Sequence, residues 1–171
     1  MTPVRIKSRR TASRWIAGIA IMACAAGVAH AQSKAAKPSP ADVARGKYVA
    51  QIAGCNDCHT PGYAMSGGKA DDKVMLTGDA LGWRGPWGTT YPANLRLVVA
   101  DLTEDQWLKH ARVERRPPMP WFALRYMSDA DVRALYRYIR SLGPGGQPAP
   151  AYVPPDKTPN GPFVQFPAPP K

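Results

Sequence analysis

Cysteine and histidine are both scarce in this chain, three of each in 171 residues. Cys24 lies in the apolar stretch near the N-terminus, so only Cys55 and Cys58 remain further along. Two cysteines so close together are not the disulfide framework that staples many small exported domains. Long apolar runs are also lacking. Beyond Trp15–Val28, nothing approaches the ~18–20 apolar residues that a membrane span requires. Acidic residues are few, 12 against 23 basic ones, for a formal net charge of +11. The bases are scattered along the chain, which argues against a nucleic-acid-binding protein and leaves a moderate attraction to acidic partners.

Residues 1–14 carry Arg5, Lys7, Arg9, Arg10 and Arg14 and no acid. The apolar run that follows ends in Ala29-His30-Ala31, an A-x-A cleavage pattern. Residues 1–31 therefore read as a secretory signal peptide, with the mature chain starting at Gln32. Ile21-Met22-Ala23-Cys24 is a poorer match to a lipoprotein box than Ala29–Ala31 is to a cleavage site, so lipid anchoring is the weaker reading. Arg9-Arg10 lacks the context of a twin-arginine signal. Cleavage removes Cys24 and five bases, leaving 18 basic against 12 acidic residues, a net +6.

Cys55-Asn56-Asp57-Cys58-His59 is the motif that carries chemistry. C-x-x-C-H is the attachment signature for a c-type haem. At this spacing each thiol can add to one vinyl group, forming two thioethers, and the adjacent imidazole becomes the proximal ligand of the iron. A zinc site would need four ligands, and only His110 stands outside the motif as an obvious one. A thioredoxin-like dithiol would need a βαβ setting, and the flanking sequence has none. The haem reading also supplies a staple to an exported domain without disulfides, because it adds a large apolar surface to a thin core.

The chain after the leader at 32–39 divides into a domain at 40–143 and a tail at 144–171. Ser39-Pro40 reads as the N-cap and first residue of a helix to about Ala53. Gly46 within it suggests a close helix crossing, with Tyr136 or Leu135 expected opposite. Residues 60–101 read as mostly loop. Here Trp83, Trp87 and Tyr91 stand among Gly82, Gly85 and Gly88, large rings and tight turns that suit the wall of a flat macrocycle. Thr103-Glu104-Asp105-Gln106 is a capping box for a helix to about Val113. Ser128 caps a last helix, in which Val132, Leu135, Tyr136, Ile139 and Leu142 recur at helical spacing and Gly143 is the stop. The tail holds ten prolines in 28 residues, with Tyr152, Val153, Phe163, Val164 and Phe166 among them. That composition predicts an extended strap lying partly on the domain, with a partner-docking segment as the alternative.

The ligand opposite His59 decides the type of function. Met119 stands in Arg115-Arg116-Pro117-Pro118-Met119-Pro120-Trp121. Prolines on both sides fix φ and would present its thioether from a stiff loop. Met75 is the main competitor, with Met65, Met127 and His110 weaker. A thioether opposite an imidazole raises the potential and closes the iron to small molecules, which favours electron transfer.

Taken together, the motif after the first helix, the Gly-rich aromatic segment, the Pro-Pro-Met-Pro-Trp loop and the closing amphipathic helix resemble a class I cytochrome c. In particular they resemble the single-haem subunits and domains of periplasmic dehydrogenase systems. The likeness covers roughly residues 40–143 and implies an all-α fold of three to four helices and long loops around one covalent haem c. It implies Cys55 and Cys58 as attachment points, His59 and Met119 as axial ligands, and a pocket drawn from Trp83, Trp87, Tyr91, Asn94 and Trp121. It further implies one-electron transfer in the periplasm, between partners such as a dehydrogenase and a terminal oxidase or reductase, with Arg112, Arg115 and Arg116 as docking charges. The chain departs from the family in its proline-rich tail, and it has a single C-x-x-C-H. The rival readings are an open-site haem protein that binds peroxide or a diatomic gas, and a tightly bound dehydrogenase subunit.

Overall fold

The computed structural model describes residues 38–167. The signal-peptide reading of 1–31, and most of the leader, fall outside the described residues.

Six helices and one small sheet make up this part of the chain: α1 (Pro40–Ile52), α2 (Cys55–His59), β1 (Gly82–Gly85), β2 (Gly88–Thr90), α3 (Leu95–Ala100), α4 (Glu104–Ala111), α5 (Trp121–Tyr126), α6 (Asp129–Ser141) and β3 (Phe163–Gln165). The three longest helices begin where cap chemistry places them. Ser39 and Asp42 form a capping box on α1 with Pro40 at its first position, Thr103 and Gln106 form another on α4, and the Ser128 hydroxyl accepts from Asp131 N on α6. Each cap satisfies amide groups that the first turn of a helix otherwise leaves without partners. At the far end of α6 the chain turns away through Gly143, in the left-handed region at φ 68°.

The core forms where α1, α4 and α6 meet, around Ala50, Leu76, Val99, Trp107, Val132, Leu135, Tyr138 and Ile139. α1 crosses α6 at Gly46. A Cβ there would run into the Ala134 carbonyl oxygen and come within 2.7 Å of Tyr138 Cβ. The crossing is therefore made against Ala134 and Tyr138, not the expected Tyr136 or Leu135. Tyr136 faces α4 instead, and its hydroxyl donates to the Leu102 carbonyl at 2.8 Å. Polar pairs lace the same three helices: Arg137 with Asp42 and Glu104, Arg133 with Glu104 and Asp105, and Arg45 with Asp131.

Three short strands go beyond the expected all-α arrangement, and there are six helices where three to four were expected. The segment read as loop contains a hairpin, β1 and β2, with Trp83 opposite Thr90 and Gly85 opposite Gly88. It also contains α3, whose N-cap is Asn94. The third strand comes from the tail: β3 runs parallel to β1, and the sheet order is β2-β1-β3. The strands are three and four residues long, too short for alternation of polar and apolar residues to show as a pattern.

Replacing Gly46 with alanine should destabilise the fold by about 1–3 kcal/mol through overpacking, read as a lower midpoint in urea unfolding with an unchanged slope. The ion pairs give a second expectation. The Asp42 carboxyl is held below its usual range first by the Ser39 hydroxyl and then by Arg137, and that of Asp131 first by Arg45. Carboxyls lowered on folding stabilise the protein above the unfolded-state pKa, and that contribution is lost as the pH falls through the folded value. Asp131→Asn should therefore be less stable than wild type at pH 7 and converge with it below about pH 4, in denaturant titrations across that range.

Candidate functional site

The motif occupies a helix of its own. α1 ends at Ile52, and Gly54, left-handed at φ 67°, redirects the chain into the five-residue α2. A Cβ at Gly54 would sit 3.0 Å from Asp57 Oδ2. The turn thus places Cys55, Cys58 and His59 on a short, tightly wound segment. Neither cysteine is in a disulfide, and both are partly exposed. Burial, as the largest influence, pushes the Cys55 thiol up to about 11 and that of Cys58 upward as well. Such thiols are protonated at neutral pH, unlike the lowered, thiolate-forming cysteines of redox dithiols.

His59 is the most constrained side chain of the site. Its Nδ1 lies 2.7 Å from the Ala93 carbonyl oxygen. A carbonyl can only accept, so Nδ1 carries the proton and Nε2 keeps its lone pair in the neutral ring. Burial lowers the His59 pKa, opposed in part by the bond to Ala93, so the ring is neutral at pH 7. The main chain of His59 is fixed too: its carbonyl accepts from Gly78 N at 2.8 Å. The two loops that grip it are joined by Leu95 N to Leu76 O at 3.0 Å and Asp79 N to Pro92 O at 3.2 Å. Their approach is close. A Cβ on Gly78, itself left-handed at φ 79°, would lie 2.7 Å from Pro92 O and 2.8 Å from Asn94 N.

Behind the motif, the Thr60 hydroxyl donates to Asn56 Oδ1 and accepts from Leu76 N, both at 2.8 Å. Met75 Sδ lies 4.0 Å from the same Thr60 Oγ1. Leu76 is fully buried at φ 58°, an unusual conformation for a bulky residue, between this hydroxyl and Leu95.

The expected pocket residues divide into two groups. Asn94 has no amide hydrogen to offer a propionate. Its Oδ1 caps α3 by accepting from Arg96 N and Leu97 N, and its Nδ2 donates to the carbonyls of Gly145 and Gln147. Trp87 directs its indole N–H at the Trp83 carbonyl, at 3.3 Å. Tyr91 is half-buried with its ring edge against Gly82, and Trp121, at the start of α5, stacks against the Arg125 guanidinium at 4.3 Å. Trp83 differs from all of these. Its Nε1 is buried without a partner, alone in that respect among the side-chain polar atoms of the described residues. A buried N–H donor without an acceptor is costly, and a haem propionate is an acceptor of the right kind. The neutral imidazole with a free Nε2, the paired thiols and the orphaned Trp83 N–H all fit a covalent haem.

The three arginines read as docking charges are engaged within the fold. Arg112 donates to the carbonyls of Leu124 and Met127 and pairs with Asp129 at 2.6 Å. Arg115 donates to the His110 carbonyl, and Arg116 lies over the Tyr152 ring at 4.2 Å. Sequence reasoning missed Arg96, which is buried and binds the carbonyls of Leu142 and Gly143 at the end of α6 and those of Asp72 and Lys73 in the loop after the motif. A cation suits a helix C-terminus, but only the assembled loops reveal this position.

The chain belongs to the cytochrome c family, whose model matches residues 43–143. Its Cys55-Cys58-His59 motif indicates covalently bound haem c. It is 32% identical over 126 residues to a nicotinate dehydrogenase subunit of Pseudomonas putida, covering 66% of this chain and 10% of that protein. It is 30% identical over 136 residues to the cytochrome c subunit of the quinone alcohol dehydrogenase of Gluconobacter oxydans, 72% of this chain and 25% of that one. With the fructose dehydrogenase cytochrome subunit of Gluconobacter japonicus it shares 29% over 131 residues, 67% of this chain and 25% of that one. The chain thus spans a quarter or less of the length of these relatives. No solved structure matches it significantly. Among the described residues, no helix is long and apolar enough to cross a membrane.

Cys58→Ala should leave one thioether. The denatured pyridine complex of the haem protein should then absorb at longer wavelength than wild type, because one vinyl group remains conjugated. An unchanged spectrum would mean that Cys58 is not an attachment point.

Proposed function

We propose that this cytochrome is a periplasmic one-electron carrier with His59 and Met119 as axial ligands, serving a dehydrogenase as its electron donor and passing electrons to a terminal oxidase or reductase. The observation that carries the reading is the clamp on His59, since a neutral imidazole held through Nδ1 presents Nε2 in a fixed direction. When bound, haem c supplies a one-electron ferric/ferrous couple.

The choice of Met119 rests on what the other candidates do. Met75 packs against Thr60 on the motif's own side, and Met65 is 94% exposed. Met127 packs against the helical core, and the His110 ring stacks on Trp107 at 6.0 Å. Met119 is half-buried between Pro118 and Pro120, in a loop tied at both sides: Thr90 Oγ1 donates to Pro117 O at 2.9 Å, and Trp121 N donates to Met119 O at 2.9 Å. A ligand held this firmly changes position little between oxidation states, which keeps reorganisation small. Trp83 supplies the N–H for a propionate, and its burial excludes competing water from that bond.

The dehydrogenase assignment is supported by the relatives, which are named as subunits of nicotinate, alcohol and fructose dehydrogenases. The basic N-terminal segment with its A-x-A site supports export. Whether the partner is held permanently or met by diffusion differs only in complex lifetime.

Oxidised wild-type protein should show the far-red absorption of methionine-ligated ferric haem. Met119→Ala should lose that band, become able to bind carbon monoxide when reduced, and have a lower midpoint potential in redox titration. A wild type that is high-spin, or that binds carbon monoxide readily, would overturn the carrier reading in favour of an open-site protein.

A further inference from the structure

The methionine loop is held at two adjacent residues, one by the tail and one by the hairpin that the tail covers. Tyr152 lies directly under the Arg116 guanidinium, 4.2 Å from the ring centre. Next to it, Pro117 is held by Thr90, the last residue of β2. That strand is in turn held by the tail: Thr89 N donates to Val153 O at 2.7 Å, and Val153 N donates to Thr89 O at 3.0 Å. The Tyr152 hydroxyl donates to the Trp87 carbonyl at 2.8 Å, at the tip of the same hairpin.

The rest of the tail closes over the other side of the hairpin. Arg84 donates to Thr89 Oγ1 and to the carbonyls of Pro155 and Lys157. β3 adds its parallel ladder to β1, and the Phe166 ring packs on Trp83 and Trp87, with centroids 5.9 and 5.3 Å away. A hairpin of two such short strands is marginal by itself. The tail supplies its third strand and its only aromatic cover among the described residues from outside the 82–91 segment.

We propose that the proline-rich tail is a brace for the axial methionine, with Tyr152 of the tail and Thr90 of the hairpin it holds as positioning residues. Tyr152 acts through Arg116, and Thr90 acts through Pro117, so the two grips fix the loop three and two residues before Met119. Proline suits the brace: an extended chain with φ already restricted loses less entropy when it is laid on the hairpin. This proposal rests on Met119 being the ligand, and its test separates the two.

The experiment is stopped-flow binding of imidazole to the ferric, full-length, haem-loaded protein, which reports how often Met119 leaves the iron. Thr90→Val and Tyr152→Ala should each speed binding by at least about fivefold, the factor that loss of one hydrogen bond of ordinary net worth supplies. Thr90→Ser, which keeps the donor, should stay close to wild type. The same substitutions are then made in Met119→Ala. There they should change nothing, because the displaced ligand is already gone; a general loosening of the fold would still speed access in that background. Wild-type rates in Thr90→Val and Tyr152→Ala, or equal acceleration with and without Met119, would overturn the brace. A wild type with no far-red band would instead remove Met119 from the iron and with it the premise.

Discussion

The hydrogen bond from His59 Nδ1 to the Ala93 carbonyl is the contact on which the site depends. It fixes the tautomer, orients the ring and leaves Nε2 as the ring nitrogen with a free lone pair. It also explains why so much of the chain between the motif and α3 has no regular structure. The loops at 76–79 and 92–94 must approach His59 from both the carbonyl and the ring side, and Gly78 is the residue that allows them to meet. The loops are in turn anchored to the helical core by Arg96 and Asn94, which join them to the end of α6 and to the residues just beyond it. The helices therefore act as a frame, and the main-chain hydrogen bonds of the loops do the positioning.

The same division is found at the loop proposed to carry the second axial ligand. Met119 lies in a loop between α4 and α5, and the groups that hold this loop are a hairpin hydroxyl and an aromatic ring from the tail. The cytochrome fold proper, matched over residues 43–143, supplies the motif, the methionine loop and the closing helix. The tail adds a strand and edge-on aromatic contacts to the hairpin of short strands within that fold. A brace of this kind gives a domain of this family a physical use for 28 further residues of proline-rich chain.

Much of this was legible in the sequence, because the relevant signals are local. Ser39, Thr103 and Ser128 each announce a helix through their own side chain, and the motif spacing announces covalent haem. Gly46 was readable as a close crossing, but its partners were not: facing residues on α6 differ by one or two positions, and only the packed helices show Ala134 and Tyr138 in place of Leu135 and Tyr136. The hairpin and α3 were hidden by their brevity. An isolated Asn94 does not reveal that both its amide hydrogens are taken by the carbonyls of Gly145 and Gln147. Ala93 could not be found at all, since it contributes a main-chain carbonyl and its identity carries no signal. The partners of the arginines at 112, 115 and 116 were hidden for a related reason: a charge in a sequence looks free until its carbonyl or aromatic partner comes from elsewhere in the chain.

The most direct test of the His59–Met119 site is the proton NMR spectrum of the reduced protein, compared with that of Met119→Ala. A thioether methyl held against a diamagnetic ferrous haem feels the full ring current. Wild type should show one three-proton resonance far upfield of the normal methyl range, missing from the variant. A wild-type spectrum with no such resonance, or one broadened by high-spin ferrous iron, would contradict the axial pair and the carrier function built on it.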